Sequence, residues 1–384
     1  MDAFEFSTVP SILSEWGGAG RLGEILGARF AARRVLVVTD AGLVKAGLLA
    51  PALQSLAEAG FTAEIFDAVV ADPPEALALA CAERARAFGA ELVIGLGGGS
   101  SLDVAKLAAV LATSDQSIAE LYGIDKVRGA RLPLVQVPTT AGTGSEVTNI
   151  AILTTGETTK MGIVAPQLYA DLVLLDAALT TGLPPLHTAA TGIDAMVHAI
   201  EAYTSRHRKN PLSDALAREA LRLLAGHLVR AVESGHDRTA REAMLLGATL
   251  AGQAFANAPV AAVHALAYPL GGHFHIPHGL SNALMLGPVL RFNLAAAAPL
   301  YAELADVLLG PSESEAELRA AAFVETMAKL CRDSGAPLRL RDVGVPEKSL
   351  PMLAKDAMLQ TRLLRNNPVD LTEKDALALY RAAF

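Results

Sequence analysis

Short runs of aliphatic and β-branched residues alternate with helix-like segments through the first half of the chain. Each apolar run is short and flanked by turn residues, which is typical of a buried strand, and residues 73–88 have the apolar period of an intervening helix. The predicted strands are 33–40, 61–66, 91–96, 132–138 and 170–176. Strands that alternate with helices predict a doubly wound, mostly parallel sheet, so this half is expected to be an α/β domain.

The pattern then changes along the chain. Residues 151–164 have the signature of a β-hairpin with a glycine-containing turn, which predicts that part of the sheet is mixed. After Pro184 and Pro185 only long helical periods follow, without strand signals. The sequence therefore predicts an α/β domain over 1–185 and an all-helical domain over 186–384.

A glycine-rich turn follows the strand at 91–96. Gly97, Gly98, Gly99 and Ser100 precede a helical segment, and such a loop lets backbone N–H groups approach a pyrophosphate at a helix N-terminus. Because Ser100 takes the last position of G-x-G-x-x-G, the dinucleotide pattern is incomplete, and a tight strand-to-helix turn is the alternative. A second loop rich in glycine and threonine, 138–146, follows another strand end, which favours a nucleotide site.

Asp40 stands at the end of the first predicted strand. A carboxylate there can hold both ribose hydroxyls of adenosine and repel a 2′-phosphate, which favours NAD over NADP. In an ordinary Rossmann unit this acid follows the glycines, whereas Asp40 precedes them. The alternative is a polar residue that only turns the chain at a strand end.

Carboxylate and imidazole groups recur in the second half. Asp194 and His198 are four residues apart in the helix-compatible stretch 191–203, so their side chains share one helix face. His264 and His278 belong to a later histidine-rich stretch. Oxygen and imidazole nitrogen suit a borderline divalent ion such as Fe²⁺ or Zn²⁺, although an isolated D-x-x-x-H pair is more often a surface pair or a buried histidine.

Several long motifs resemble those of the iron-containing (group III) alcohol dehydrogenases, which have a dehydroquinate synthase-like fold. The matching segments are GLGGGSSLDVAK at 95–106, PTTAGTGSEVT at 138–148, TGIDAMVHAIEAY at 191–203, NPLSD at 210–214, HALAYPLGGHFHIPHGLSNA at 264–283 and NNPVDLT near the end. The resemblance implies a nucleotide-binding α/β domain, a helical metal-binding domain and a dinucleotide in the cleft between them. It assigns the metal to Asp194, His198, His264 and His278.

The same resemblance supplies candidate residues for the cofactor. It assigns cofactor phosphates and ribose to Gly98, Gly99, Ser100, Thr139, Thr140 and Thr143, with Lys160, Leu179 and Gly182 nearby. Gly97, Asp40 and Asp103 complete the candidates for NAD binding. The expected activity is an NAD-dependent, divalent-metal-dependent alcohol dehydrogenase or aldehyde and ketone reductase, in which the ion acts as a Lewis acid and hydride moves to or from nicotinamide.

Tyr268 departs from the family pattern. Many alcohol-oxidising members carry a second histidine four residues after the one at His264, where it can relay a proton. A phenol is a poor relay at neutral pH but a good hydrogen-bond donor, so Tyr268 is a candidate for orienting substrate. His273 and His275 are candidates for the relay or for a contact to substrate, with a structural or capping role as the alternative.

Composition limits the remaining functions. A net charge of −8 argues against a nucleic-acid partner, and no apolar run is long enough to span a membrane. The N-terminus lacks a signal-peptide pattern, so we expect a cytoplasmic enzyme with a small-molecule alcohol or aldehyde substrate, at least as a homodimer. Less favoured alternatives are an oxo-acid reductase, an NAD- and metal-dependent lyase resembling dehydroquinate synthase, and a metal-free nucleotide-binding protein.

Overall fold

The computed structural model describes residues 3–156 and 159–384, which form two compact units. The α/β unit comprises Thr8–Thr140 and Gly144–Thr181. The helical unit comprises the residues through Ser7, Ala141–Thr143 and Gly182–Phe384. The main division thus falls between Thr181 and Gly182, a few residues before the change of pattern in the sequence.

The strands all belong to the α/β unit. They are β1 (Ile12–Ser14), β2 (Arg34–Val38), β3 (Thr62–Phe66), β4 (Leu92–Gly97), β5 (Gly123–Ile124), β6 (Leu134–Pro138), β7 (Ile150–Thr155), β8 (Thr159–Val164) and β9 (Leu172–Leu175). Six of them form a parallel sheet in the order β1-β9-β6-β4-β2-β3. Every residue of β4, β6 and β9 is buried, as expected when helices cover both faces of a parallel sheet.

The helices divide between the two units. Those of the α/β unit are α1 (Leu22–Gly27), α2 (Ala41–Lys45), α3 (Ala50–Glu58), α4 (Glu75–Phe88), α5 (Gly99–Leu111) and α6 (Ile118–Leu121). Those of the helical unit are α7 (Pro185–Tyr203), α8 (Pro211–Glu233), α9 (Arg238–Asn257), α10 (Ala262–Phe274), α11 (His278–Leu309), α12 (Ala316–Asp333), α13 (Leu350–Ala357), α14 (Thr361–Leu364) and α15 (Glu373–Ala382). Residues 182–384, all of which are described, contain no strand. The predicted fold class is therefore confirmed.

The hairpin gives a correction. β7 and β8 pair antiparallel as predicted, and Gly156, which follows β7, has a positive φ. The rest of the predicted turn, residues 157 and 158, lies outside the described residues. However, the pair does not make the main sheet mixed. Together with β5 it forms a separate three-stranded sheet, in the order β5-β8-β7. β1 and β5 were not predicted, because runs of two or three residues show no periodicity.

Packing in the helical unit centres on α7. This helix begins at Pro185, whose fixed φ suits the first helical position, and it is buried continuously from Gly192 to Tyr203. It packs against α8, α9 and α11. Capping side chains set two neighbouring helix starts: Asn210 accepts from the backbone N–H of Ser213 at α8, and Asp237 accepts from that of Ala240 at α9.

Helix α11 is long and apolar enough to span a membrane by length and composition alone. Slightly more than half of its most apolar window is buried, and the helix packs against α7, α10 and α12. Its apolar character therefore serves the core of the helical unit.

Candidate active site

Four predicted ligands meet inside the helical unit. Asp194 and His198 lie one turn apart on α7, His264 lies in the first turn of α10, and His278 is the first residue of α11. Their ligand atoms all lie within 4.8 Å of one another. The Nε2 atoms of His198 and His264 are each 3.8 Å from Oδ1 of Asp194, and that of His278 is 3.7 Å away. Three helices thus bring one carboxylate oxygen and three imidazole nitrogens together.

Burial and charge set the ionisation of this cluster. Burial lowers the pKa of His198 to about 4, because a charged imidazolium loses hydration inside the protein, so this ring is neutral at physiological pH. Burial alone raises the pKa of Asp194, but the three imidazoles and a hydrogen bond from Asn282 outweigh it, and the net pKa lies below the usual value. An ionised carboxylate beside a neutral imidazole is the state that metal binding requires.

The donor set fits a divalent ion. Ligand atoms around one ion, with bonds of about 2.0–2.2 Å, lie roughly 3–4 Å apart, which matches the separations from Asp194. Mixed oxygen and imidazole donors suit Fe²⁺ and Zn²⁺. His278 is only partly buried, with about a third of its side chain exposed, whereas the other three ligands are nearly inaccessible. The cluster is therefore closed on one side and accessible at His278.

Two residues beside the ligands were missed from the sequence. Glu201, on α7, has Oε2 2.7 Å from Nδ1 of His264. Asn282, on α11, donates from Nδ2 to Oδ1 of Asp194 at 2.6 Å. The helical period could have indicated both, because Glu201 lies seven residues after Asp194 and Asn282 lies four after His278.

A close backbone contact brings α11 to α7. A Cβ atom at Gly279 would lie 2.5 Å from the carbonyl oxygen of Ala190 and 3.3 Å from Cβ of Asp194. Real Cβ atoms essentially never come this close to another atom, so only glycine fits without a shift. This contact places His278 and Asn282 next to Asp194.

Aromatic rings border the cluster. Phe255, on α9, stacks on His198 with ring centroids 4.3 Å apart, and the ring of Tyr268 lies 5.9 Å from that of His278. Tyr268 follows His264 by one helical turn, so it lies on the ligand-bearing face of α10 as the sequence indicates. The position is thus suited to contact a molecule at the accessible side of the cluster.

The two relay candidates have other partners or positions. His273 follows His264 by nine residues, which places it about 180° around α10. Its Nε2 lies 2.6 Å from Oδ2 of Asp356, on α13. His275 is exposed, has a φ of +54° and ends α10. This geometry supports the structural alternative for both histidines and gives no support to a relay through His273.

The glycine turn of the α/β unit has the geometry expected for an anion site. β4 ends at Gly97 and α5 begins at Gly99, so Gly98 alone connects strand to helix. Ser100 lies in the first turn of α5. A Cβ at Gly97 would come within 2.7 Å of the Ser101 side chain, which explains why a glycine ends the strand. Backbone N–H groups of this helix start are suitable for a phosphate.

Residues from neighbouring loops lie beside this turn. The backbone N–H of Thr139 donates to the carbonyl of Gly97 at 2.9 Å, and Thr140 lies in ordinary contact distance of a Cβ built at Gly98. Leu179 is buried in the sheet core, so it contributes packing. Thr143 and Gly182 belong to the helical unit.

Three charged candidates carry local interactions within the α/β unit. Asp40 caps α2, since its Oδ1 accepts from the backbone N–H of Leu43 at 3.0 Å, and Lys160 pairs with Asp72 at 2.6 Å. Asp103 accepts from the Ser145 hydroxyl at 2.5 Å and from the Ile152 N–H at 3.0 Å. Both Asp103 oxygens are therefore engaged inside the unit, which gives this residue a structural role that the sequence did not indicate.

Comparison with known proteins identifies the family. The iron-containing alcohol dehydrogenase family matches residues 10–177, and the C-terminal domain of the Fe-containing alcohol dehydrogenase family matches residues 188–384. The chain is 45% identical over 377 residues to long-chain-alcohol dehydrogenase 1 of Geobacillus thermodenitrificans, covering 96% of this chain and 94% of that protein. The chain therefore belongs to the iron-containing alcohol dehydrogenase family and is an oxidoreductase of the alcohol dehydrogenase class, as predicted.

Solved structures agree with this assignment. A 1,3-propanediol oxidoreductase superposes with a TM-score of 0.95 at 35% identity, covering 100% of each chain. The sulfoacetaldehyde reductase of Bifidobacterium kashiwanohense, solved in complex with NAD⁺, gives a TM-score of 0.88 at 29% identity, covering 100% of this chain and 99% of that one. The two relatives share the fold, but their names indicate chemically different substrates, a diol for one and a sulfonated aldehyde for the other.

Proposed function

We propose that this protein is an NAD-dependent, divalent-metal-dependent alcohol dehydrogenase that also reduces the corresponding aldehyde or ketone. The observation that carries the proposal is the buried cluster of one carboxylate and three imidazoles, with its accessible side at His278. In the oxidative direction the alcohol carbon gives a hydride to NAD⁺ and the hydroxyl gives up a proton, so the products are a carbonyl compound, NADH and H⁺.

Asp194, His198, His264 and His278 would hold the ion, with Fe²⁺ and Zn²⁺ both compatible with these donors. A bound divalent ion supplies Lewis acidity, which lowers the pKa of an alcohol hydroxyl or polarises a carbonyl. The protein's own contribution is to bury Asp194, His198 and His264, to keep His198 neutral, and to orient His264 and Asp194 through hydrogen bonds with Glu201 and Asn282.

The cofactor assignment rests on the α/β unit. The start of α5 offers backbone N–H groups for a pyrophosphate, and Asp40 follows β2 with a carboxylate that would repel a 2′-phosphate. The NAD⁺ complex of a structural relative supports the same choice. We therefore propose NAD as the preferred cofactor.

The substrate is proposed to be an uncharged small-molecule alcohol or its aldehyde. Phe255 and Tyr268 are the aromatic side chains beside the ligand rings, and an aromatic surface favours apolar carbon chains over anions. The discriminating assay is NADH oxidation with a panel of straight-chain aldehydes, a sulfonated aldehyde and 2-oxo acids. Higher kcat/KM for an anionic substrate than for the straight-chain aldehydes would contradict this proposal.

Metal dependence is tested by removal and substitution. His264→Ala should lose both the ion and turnover while the protein stays folded, because a ligand set without one member binds weakly. His227→Ala is the matched control, since this histidine lies on α8 and its Nδ1 contacts only the carbonyl of Leu223 among the described contacts. Full activity of chelated wild type, verified metal-free by elemental analysis, would refute metal dependence.

We also propose that the enzyme is cytoplasmic and works as a homodimer or larger homo-oligomer, without a nucleic-acid or membrane partner. The net charge of −8 supports the absence of a nucleic-acid partner. Light scattering at micromolar concentration measures the assembly, and a 39.9 kDa species would reject it.

A further inference from the structure

Glu201 is a buried carboxylate that interacts with two parts of the proposed metal site at once. It lies on α7, seven residues after Asp194, and only 4% of its surface is exposed. Its Oε2 lies 2.7 Å from Nδ1 of His264 and 2.8 Å from the backbone nitrogen of Ala261, and its Oε1 lies 2.7 Å from the backbone nitrogen of Val263. Nitrogen atoms of three residues within the four-residue segment 261–264, at the start of α10, therefore converge on one carboxylate.

The hydrogen-bond chemistry fixes the tautomer of His264. An ionised carboxylate can only accept hydrogen bonds, so Nδ1 of His264 must carry the hydrogen that lies between the two groups. A neutral imidazole then has its lone pair on Nε2. Nε2 is the atom that faces Oδ1 of Asp194 at 3.8 Å, so the lone pair is directed into the ligand cluster.

The backbone contacts fix the position of the same ring. His264 lies in the first turn of α10, and the two N–H groups that Glu201 accepts belong to Ala261 and Val263, at the start of that helix. N–H groups at a helix start have no intrahelical partner, and a buried carboxylate there is favourable for the helix dipole. Because Glu201 and Asp194 are on one rigid helix, the carboxylate sets the spacing between α10 and Asp194.

We propose that Glu201 is a positioning residue for the metal centre, which sets both the tautomer of His264 and the placement of the start of α10. This inference rests on the proposed metal dependence and adds a residue to it. Glu201 does not contact the ion or the substrate in this proposal. It acts through His264, and its loss should weaken metal binding while leaving the four ligands present.

The wild-type protein allows a direct test that needs no variant. In Zn²⁺-loaded protein labelled with ¹⁵N-histidine, one- and two-bond ¹H–¹⁵N correlations should show His264 with hydrogen on Nδ1 and metal on Nε2. The His264 signals are assigned through bonds from the backbone, because His264→Ala is itself expected to lose the ion. A hydrogen on Nε2, or metal on Nδ1, would overturn the proposal even if the protein binds zinc tightly.

Variants measure the size of the effect. Zinc affinity, determined by competition with a chromophoric chelator, should fall about 10–100-fold in Glu201→Ala and Glu201→Gln, the range found when an outer partner of a ligand is removed. Glu201→Gln keeps the volume but replaces one acceptor by a donor. Glu201→Asp keeps the acceptor chemistry at shorter reach and should recover part of the affinity.

A second capping residue separates positioning from stability. Asp237 caps α9 in the same unit, so Asp237→Ala, which removes the capping oxygen, should lower thermal stability and leave zinc affinity unchanged. Glu201 variants that bind zinc as wild type does would refute the positioning role, whereas wild-type protein that binds no divalent ion would refute the proposed function itself. The two failures are therefore distinguishable.

Discussion

Gly279→Ala tests whether the contact between α11 and α7 sets the geometry of the site. The new Cβ would lie 2.5 Å from the carbonyl oxygen of Ala190, while ordinary contact begins at 3.4 Å. One helix must therefore move by about 0.9 Å to relieve the overlap, because the obstacle is the backbone of Ala190 and not a flexible side chain. The movement displaces the first turn of α11, which holds His278 and Asn282.

Two effects of different size follow from this shift. Overpacking a core contact costs about 1–3 kcal/mol, which lowers Tm by about 2–4 °C per kcal/mol for a unit of this size. Ligand distances in a metal site hold to about 0.2 Å, so a shift several times larger should weaken metal affinity by more than 10-fold. The assays are differential scanning calorimetry and zinc affinity by chelator competition, with kcat measured at saturating metal.

Gly287→Ala is the matched control in the same helix. A Cβ at Gly287 would meet only the guanidinium end of Arg291, at 3.4 Å, so nothing in the backbone must move. Alanine is favoured over glycine inside a helix by about 0.5–1 kcal/mol, so this variant should be unchanged or slightly more stable. If Gly279→Ala kept wild-type Tm, metal affinity and kcat, the close contact would not determine the site.

Three further predictions concern other parts of the molecule. Asn282→Ala removes the donor to Asp194 and should lower metal affinity about 10–100-fold, whereas Ser281→Ala, in the neighbouring position, should not. Asp40→Asn keeps the capping oxygen and removes the charge, so NADP use should improve without loss of stability; equal use of both cofactors by wild type would remove the role of Asp40. Burial raises the pKa of the Cys81 and Cys331 thiols to about 12, so native protein at pH 8 should resist alkylation that denatured protein undergoes rapidly, and fast labelling of either thiol would contradict their burial.

The sequence by itself determined the features that depend on the spacing of residues within one strand or helix. The alternation of apolar runs and helical periods predicts the parallel sheet and the helical half, because backbone geometry alone fixes the strand and helix periods. The same rule places Asp194 and His198 on one face of α7. The run of glycines after the strand at 91–96 likewise predicts a strand-to-helix turn, and the structure narrows that turn to Gly98 between β4 and α5. These features depend on residues close together in the chain.

Tertiary packing decided the rest. Asp103 lies at a position suited to a cofactor contact. Its carboxylate nevertheless accepts hydrogen bonds from Ser145 and Ile152, which are distant in the chain. His273, a relay candidate from the sequence, likewise forms a hydrogen bond with Asp356, which lies on a different helix. Spacing rules hold only within one element, whereas these partners are set by how separate elements pack.

The ligand cluster depends on both levels. Spacing in α7 orients two of the ligands, but α10 and α11 reach them only through contacts such as Gly279 on the carbonyl of Ala190 and the backbone of α10 on Glu201. A helix period cannot reveal which helix a face will meet, because that choice depends on the shape and hydrogen-bonding needs of the whole core. For this reason the sequence could indicate four ligands, while only the folded structure showed the hydrogen bonds of Glu201 to His264 and of Asn282 to Asp194.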